Sequence, residues 1–577
     1  MMICPPRGLC QFTIHGRTSS HKDRIDTSGG TREILGRLRD IEAMLKAQSH
    51  QISDITKSRI GAYAVPEASP SSHASAPARE LPNATMPSPW SFSGLDIQPN
   101  MPTLPPLTIP VKHKTSSSYL LSLPLVKSLI GEYPTDLFFL LESRAHLPPE
   151  LSFETWRVPN RSIEIDRDLA TNLVSVFFAS AHQNHPILDL GEFEDTFTRF
   201  LDNGADSSTA SALCMVVLAL GAVAASPPDA HAFLHSPPGM QYMHHAMPTL
   251  LSQSAWSFSC SLMLPQALVL ASVYFAYIVR PLQSWRLIYS ATTIIQFKLS
   301  GQQKEPWWRE SLIRLFWSCF LIECDRLAEL ELPRSGLQQL TDETSLPECT
   351  NLGMMQSTCY LAEISIRRLL NRVHNSLYPS KKHVLTLSST TLTTPEEFSM
   401  DDISSMGAVC DELHSQLELW HSSIPDIFRP NIEGSMQESN DRQAILRIRY
   451  FAARHIIYRP FVLFLVTHDV TCISHDVVEK AGICIESCRC YIHSTTRILK
   501  RPSQYTWTFS LSSLGAIVIL TLASLNPALQ HLVTDIDALQ TLALNNIRPW
   551  AFSSLEAVIT ILEDVQKKQR LFTRMNC

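Results

Sequence analysis

Two stretches decide the fold of this chain: WRESLIRLFWSCFLIECDR at residues 308–326 and YFAARHIIYRPF at residues 450–461. In both, apolar side chains recur at the spacing of three and four residues that is typical of a helix, and a few charged residues interrupt them. We interpret both as helices of a large apolar core.

The composition supports such a core. Of the 577 residues, 45% are hydrophobic and only 18% are charged. This length suffices for one large helical domain plus tails. The formal net charge of -6 excludes the chain as a whole from electrostatic binding of nucleic acid, so any contact with DNA must come from a local basic patch.

The period of the apolar residues predicts an all-α fold, because alternation of period two is rare and glycine is scarce. Residues 117–577 are predicted to form one large multi-helix domain, with polar breaks at 342–360 and 375–402. The first amphipathic helix places Leu169, Leu173, Val176 and Phe177 on one face. Further helices are predicted at Ser211–Ala225, from Pro281, and at 403–423, 441–466, 475–499, 509–525 and 550–571.

Two apolar segments, Leu262–Val279 and Leu514–Leu525, have the composition of membrane helices. The helical part of the first, after Pro265, is too short to cross the ~30 Å apolar layer comfortably, and the second is shorter still. Both are therefore predicted to be buried core helices.

The first 116 residues divide into three parts. Residues 1–30 form a short basic tail, and residues 61–116 form a disordered linker rich in proline and serine. Between them, residues 31–60 predict a coiled-coil helix for dimerisation. Its alternative is an amphipathic helix that packs on its own domain. The heptad seam, which Gln48 interrupts, consists of Ile34, Leu38, Ile41, Leu45, Ile52 and Ile55.

Three groups of motifs occur in a fixed order along the chain. They are Phe177-Phe178 with His185-Pro186-Ile187-Leu188 and Phe193; Ser284-Trp285-Arg286-Leu287 with Arg314-Leu315-Phe316-Trp317-Ser318 and Asp325-Arg326; and Tyr458-Arg459-Pro460-Phe461. Over residues 170–465 they resemble the regulatory, or middle homology, domain of fungal binuclear zinc cluster (Zn2Cys6) transcription factors. Leu332-Pro333-Arg334 departs from the G-R-P element that usually follows.

The resemblance implies structural roles for these motif residues. Phe316 and Trp317 are expected to fill space between helices. Arg314 or Arg326 is expected to brace a neighbouring helix through a carboxylate or a carbonyl, with Asp325 as a nearby candidate. Pro460 is expected to end its helix. The full set is Phe177, Pro186, Trp285, Arg314, Phe316, Trp317, Asp325, Arg326, Arg459, Pro460 and Phe461.

Zinc is implied by the resemblance, because family members normally begin with six cysteines that bind two zinc ions. Here Cys4 and Cys10 resemble the last cysteine pair of that cluster, and two thiolates cannot close a tetrahedral site. No cofactor is therefore expected for the chain as given. Either the chain begins inside a longer product, which is our hypothesis, or it is a relative without the zinc cluster.

Basic residues of the tail are candidates for weak, sequence-independent phosphate contacts. The alternative is a solvated basic arm. The candidates are Arg7, Arg17, Lys22 and Arg24.

Two other clusters are candidate metal sites. Cys484 and Cys488 share a helical face, but cysteine is also a small core hydrophobe. His182 and His185 are three residues apart, but Pro186 favours a turn there. No nucleophile elbow, dinucleotide fingerprint or phosphate loop occurs, so we do not expect an enzyme.

The resemblance implies a nuclear regulator of transcription by RNA polymerase II. The resemblance implies DNA, a homodimeric or heterodimeric partner and a small-molecule effector, without a membrane. One alternative is a modulator without a zinc cluster that pairs with a full-length relative; others are a small-molecule-sensing domain without direct DNA binding and a helical enzyme or ligand carrier. Convergent ionisable groups in a cleft would favour the enzyme, and a dry aromatic cavity would favour ligand sensing.

Overall fold

The computed structural model describes residues 113–152, 163–227, 230–258, 261–300, 309–378, 400–433, 440–468 and 474–576. These residues form helices joined by turns and loops, and none of them lies in a β-strand. The prediction of an all-α fold is confirmed. The basic tail, the coiled-coil helix and the linker up to residue 112 lie outside the described residues.

The helices follow one another through the described part of the chain, with short 3-10 turns between some of them. They are α1 Ser117–Leu121, α2 Pro124–Ile130, α3 Leu137–Arg144, α4 Arg167–Ala179, α5 Leu190–Asn203, α6 Thr209–Ala224, α7 Ala230–His235, α8 Met240–Trp256, α9 Met263–Tyr277, α10 Pro281–Ser300, α11 Arg309–Leu327, α12 Met354–Leu377, α13 Met400–Ser423, α14 Asp441–Thr467, α15 His475–Leu499, α16 Thr506–Leu525, α17 Ile536–Ile547 and α18 Ser554–Asn576.

Helix α6 lies at the centre of the first half of the fold. The Ser208 side chain caps it by accepting a hydrogen bond from the Ser211 amide, and its small apolar residues are buried nearly all round. It packs against α4, α8 and α9. Gly221 allows α4 to approach closely, because a Cβ atom there would lie 2.2 Å from the Leu173 carbonyl oxygen.

In the second half, α14 packs along α15, and α15 packs on α16. Helix α16 is long and apolar enough to span a membrane, but 83% of its apolar window is buried inside the protein. Helix α9 is also buried almost entirely. Both apolar segments are therefore core helices in this fold, as their sequences predicted.

The boundaries of several helices agree closely with the sequence pattern, but one predicted face was wrong. Leu169 is 49% exposed, because the buried stripe of α4 consists of Ala170, Leu173, Val174 and Phe177. Neighbouring Leu169 therefore lies outside the face that meets α6. Its apolar character alone could not assign it to the core.

The predicted break at 342–360 was also too long. Helix α12 begins at Met354, so the loop ends at Gly353, and the helix is buried from Gln356 onwards. Polar residues made this stretch resemble a loop, but the Gln356 side chain donates to the His182 carbonyl at 3.0 Å and the Ser357 hydroxyl donates to the Met354 carbonyl within the helix. The second break is shorter at both ends, since α12 extends to Leu377 and α13 begins at Met400.

Pro460 does not end its helix, contrary to the prediction. Helix α14 continues through it to Thr467. A proline inside a helix leaves the carbonyl four residues earlier without its N–H donor. Here that carbonyl belongs to Ile456, and it accepts a hydrogen bond of 2.7 Å from the Tyr378 hydroxyl just after α12. A tertiary contact thus replaces the missing backbone bond.

This substitution of donors can be tested with a double-mutant cycle. We expect Tyr378→Phe to lower the free energy of unfolding by about 1–2 kcal/mol, because a buried carbonyl loses its donor. In a Pro460→Ala background the residue 460 amide can bond to Ile456, so the same change should cost clearly less. Denaturant titration of the four proteins measures both costs. Equal costs in the two backgrounds would contradict this account.

Candidate functional site

A buried group of charges joins the helices of the two halves. Near the end of α11, the Asp325 carboxylate accepts hydrogen bonds from Arg367 of α12 and, at 2.6 Å, from Arg449 of α14. All three side chains are less than a tenth exposed. Burial alone would raise the pKa of Asp325, but the guanidinium groups of Arg449 and Arg367 outweigh it and hold that pKa below its ordinary value.

The next residue, Arg326, points to a different pair of helices. Its guanidinium donates to the Ser284 hydroxyl of α10 at 3.2 Å and to the Thr508 hydroxyl of α16 at 3.1 Å. Burial lowers the pKa of Arg326 to about 10, but this value is still high enough for the guanidinium to be cationic at neutral pH. Two adjacent residues of α11 therefore connect it to α10, α12, α14 and α16.

Arg314 braces the fold as expected, but not through Asp325. Its guanidinium donates to the Pro186 carbonyl at 2.9 Å and to the Asp189 carboxylate at 2.7 Å. The carboxylate partner was therefore misassigned, because Asp189 is distant in sequence and close only in the fold. The contact brings the His-Pro turn of the first motif against the helix of the second.

The aromatic motif residues take up the space around these contacts. Phe177, Phe316, Trp317 and Phe461 are almost fully buried. The Trp317 indole N–H donates to the Ser345 carbonyl at 2.9 Å, so its polar group is satisfied inside the core. Trp285 is only half-buried and donates to the Pro333 carbonyl at 3.3 Å.

The histidine and cysteine pairs occupy positions in the core. His182 lies in the 3-10 turn Ala181–Gln183 and contacts the Leu188 backbone, while His185 contacts Gln504. Cys484 and Cys488 are buried in α15, and the Cys484 thiol donates to the His455 carbonyl at 3.3 Å. In the described part of the chain, no three His, Cys, Asp or Glu side chains are grouped to hold a metal ion.

A small cavity of about 50 Å³ lies next to the Asp325 group. It is large enough for water molecules but not for an organic ligand. Helices α12, α14, α15 and α16 and the two residues after α11, Ala328 and Glu329, enclose it. Its wall carries several ionisable groups. These are Glu329, Arg367, His374, Arg449, His455, Arg459 and Tyr491.

Residues 113–121, which we call the strap, lie against this cavity. The Ser117 amide donates to the Glu329 carboxylate at 2.9 Å, and the Ser117 hydroxyl donates to the Leu511 carbonyl of α16 at 2.7 Å. Arg459 of α14 donates to the Thr115 carbonyl at 2.8 Å. Leu120 and Leu121 are buried in the core.

Two histidines, His113 within the strap and His374 of α12, add further hydrogen bonds around it. His113 contacts the Leu327 carbonyl at 3.0 Å and the Thr115 hydroxyl at 2.6 Å, and that hydroxyl lies 2.9 Å from His374 of α12. Burial lowers the pKa of His113 to about 4 and that of His374 well below its ordinary value. Both rings are therefore uncharged hydrogen-bonding groups at neutral pH. In total, hydrogen bonds join the strap to α11, α12, α14 and α16.

The sequence pointed to part of this site only. It singled out Asp325, Arg326 and Arg459, and the structure brings all three to the region of the cavity. It missed Glu329 and the strap, since nothing local distinguishes them. One usable signal was the run of charged residues in otherwise apolar helices, such as Arg367 and Arg449. The predicted DNA-binding, dimerisation and zinc residues, from Cys4 to Ile55, lie outside the described residues.

Comparison with known proteins bears on this architecture. Residues 174–422 match the model of the fungal specific transcription factor domain. The chain carries this domain. It is the middle homology region of Zn2Cys6 fungal transcription factors, a regulatory domain rather than an enzyme. No curated protein matches the chain significantly.

The match covers less than half of the chain, and it ends before α14. It includes Asp325, Arg326, Arg367 and Glu329, whereas the strap, Arg449 and the third motif lie outside it. The buried charges therefore connect the matched domain to the helices that follow it. In this structure the regulatory domain and α14–α16 share one core.

The Asp325 group should dominate local stability. Asp325→Asn keeps the shape but leaves two buried guanidinium groups without their carboxylate, so we expect a loss of about 3–5 kcal/mol in the free energy of unfolding. As a control, Asp537→Asn removes the carboxylate of an exposed pair with Arg570 and should cost at most about 1 kcal/mol. Denaturant titration measures both. A similar small cost at both sites would refute the assignment.

Glu329 should make stability depend on pH. Burial raises its pKa from 4.5 to about 7, despite hydrogen bonds from Ser117 and Ser512 and the nearby charge of Arg459. The pKa of Glu329 is higher in the folded state than in the unfolded state. Its contribution to the free energy of unfolding is therefore complete below pH 4.5 and is lost as the pH rises through 7. The loss is on the order of 3 kcal/mol.

Glu329→Gln removes this titration, so the difference in unfolding free energy between variant and parent should shift in favour of the variant between pH 5 and about 7.5. Denaturant titration at several pH values measures it. Glu556→Gln, on the exposed side of α18, is the matched control and should give a constant difference. A constant difference for Glu329→Gln as well would mean that the carboxyl is not shifted.

Proposed function

We propose that this protein is a nuclear regulator of transcription by RNA polymerase II, in which the helical body controls what the N-terminal segments do. The observation that carries the proposal is the strap. It follows directly on residues 1–112 and is bound by α11 and α12 of the matched domain and by α14 and α16 beyond it.

A rearrangement of these helices would therefore change how the strap is held. Regulation needs two arrangements of different affinity for a signal, and the strap is the contact that would transmit the difference towards the N-terminus. Residues 113–117 of the strap are held mainly by polar contacts to His374, Arg459 and Glu329, whereas Leu120 and Leu121 are buried in the core. These polar contacts are weaker than a continuous apolar seam and are suited to release.

Association with DNA and zinc remains a proposal from family membership. Cys4 and Cys10 supply two thiolates, fewer than a tetrahedral zinc site requires. We therefore derive no step through zinc. Dimerisation is proposed through the heptad seam from Ile34 to Ile55, which would place two helical bodies on one coiled coil.

A second candidate is a modulator that forms a heterodimer with a zinc cluster factor through the same seam and lowers its binding to DNA. What supports it is the predicted heptad seam, which can pair with the seam of a relative and needs no zinc cluster in this chain. Titration of the protein into the DNA complex of such a factor separates the two candidates. Loss of the complex supports the modulator, and an unchanged complex supports the first proposal.

The dimer seam is tested by Leu38→Asp combined with Leu45→Asp. Both residues lie at the a positions of the heptads, so buried carboxylates should separate the dimer into monomers. Ala43→Asp combined with Ala47→Asp adds the same charge outside the seam and should leave the dimer intact. Mass in solution, from light scattering, reports the outcome. A dimer that survives the first pair of changes would refute the seam.

The regulatory role is tested in cells with the same variants. Transcript profiling after deletion of the gene should reveal a dependent set of genes. The parent and the Ala43/Ala47 variant should restore their levels, and the Leu38/Leu45 variant should not. No change in any transcript on deletion would contradict a regulator.

A further inference from the structure

A second cavity, an open cleft of about 610 Å³, lies on the side of the fold near the start of α14. Its walls come from the ends of α4, α6, α9 and α15, from the first turn of α14 and from Tyr505 just before α16. This volume is within the usual range of small-molecule sites. The family match assigns no site here.

The cleft has an excess of positive charge. Arg442, Arg497 and Arg501 line it, against the single carboxylate of Asp441. Asp441 is shared, since Arg497 contacts one of its oxygens at 2.7 Å and Arg501 contacts the other. Behind the wall, Glu363 lies 3.6 Å from Arg442 and offsets one further charge. One positive charge remains, and the first turn of α14 also favours an anion.

The polar groups that orient a ligand are set in a partly apolar surface. Arg442 is 8% exposed and donates to the Asn184 side chain, which fixes its position at the back of the cleft. Ile445, Ile498, Val223 and Tyr277 supply apolar contacts. A small inorganic ion would fill little of this space, so the ligand should have an apolar or aromatic body.

The ionisable groups of the cleft do not form a catalytic set. Arginine stays protonated, and Asp441 is occupied by two guanidinium groups. Burial raises the pKa of Tyr277 to about 12. Its phenol therefore stays protonated near neutrality and cannot act as a general base. General acid–base catalysis needs groups that titrate near the working pH. The lining therefore favours binding over reaction, although it is not the dry aromatic type of cavity.

We propose that this cleft binds an organic acid, with a carboxylate or phosphate held by Arg497 and Arg501 and an apolar body against Tyr277 and Ile445. If the protein regulates transcription as proposed above, this acid is the effector of the regulatory domain. Helix α14 connects the two sites: Arg442 lines the cleft, and Arg459, about 25 Å further along the helix, binds the strap.

Between them runs a chain of buried contacts. Glu363 lies beside Arg442 and accepts a hydrogen bond of 3.4 Å from the Tyr505 hydroxyl. The Arg449 guanidinium lies 5.4 Å from the Tyr505 ring and binds Asp325. An anion that draws Arg442 or Tyr505 towards the cleft would therefore disturb the charge group next to the strap.

The experiment measures binding to the purified full chain by calorimetry and thermal shift. The probes are 3-phenylpropionate and phenyl phosphate, which share a body and differ in the acid group, with uncharged 3-phenylpropanamide and inorganic phosphate as controls. We expect saturable binding of at least one aromatic acid and weaker binding of both controls. Equal binding of the amide, or no saturable binding of either acid at millimolar concentration, would overturn the proposal.

Two variants locate the site. Arg501→Gln should weaken binding by about tenfold or more, since one charge-assisted hydrogen bond is lost. The matched control is Arg570→Gln, because Arg570 is similarly exposed and also paired with an aspartate, outside the cleft. It should bind as the parent does. Ala224→Leu, which fills the cleft without changing charge, should also abolish binding. Unchanged affinity in both cleft variants would refute the site.

This test does not depend on transcription. If the acid binds in the cleft but Arg501→Gln leaves transcripts unchanged in cells, the binding site stands and its regulatory role is wrong. If deletion of the gene changes transcripts while no acid binds, the proposed function stands and the cleft proposal fails.

Discussion

The carboxylate of Asp325 holds guanidinium groups from two other helices inside the core, and much of the remaining structure depends on that contact. Arg367 and Arg449 are buried with it, and without Asp325 each would be a buried positive charge that lacks its carboxylate. Arg326, next in the chain, binds side chains of α10 and α16 in the opposite direction. Such an arrangement specifies the order and spacing of helices more strictly than apolar packing does, because directional bonds allow few alternatives.

The same polar core gives the protein its candidate sites. The strap, the small cavity and the cleft all border helix α14, in which Arg442, Arg449 and Arg459 stand among apolar residues such as Ile445, Ile448 and Ile457. An entirely apolar helix would have closed these spaces. Polar residues instead leave room for water or a ligand and connect one side of the fold to the other. The cost is sensitivity to the loss of any one partner.

The fold illustrates how a local rule yields to a tertiary contact. A proline in the interior of a helix usually ends or kinks it. Helix α14 continues past Pro460, because the Tyr378 hydroxyl donates to the Ile456 carbonyl that the proline leaves without an N–H donor. The stretch from residue 354 belongs to a predicted polar break, but it is helical, and its Gln356 side chain donates to the His182 carbonyl. Both errors have one cause: propensity describes an isolated segment, and the partner lies far away in sequence.

The sequence alone determined the fold class, the buried character of the apolar helices, and the motifs that are shared with the fungal regulatory domain. These follow from periodicity and residue type, which are local properties. Only the tertiary structure decided that Arg314 pairs with Asp189, that Glu329 meets residues 113–121, and that three arginines converge on one cleft. Partners that are far apart in the sequence leave no pattern in it, because folding brings them together only through the packing of whole helices.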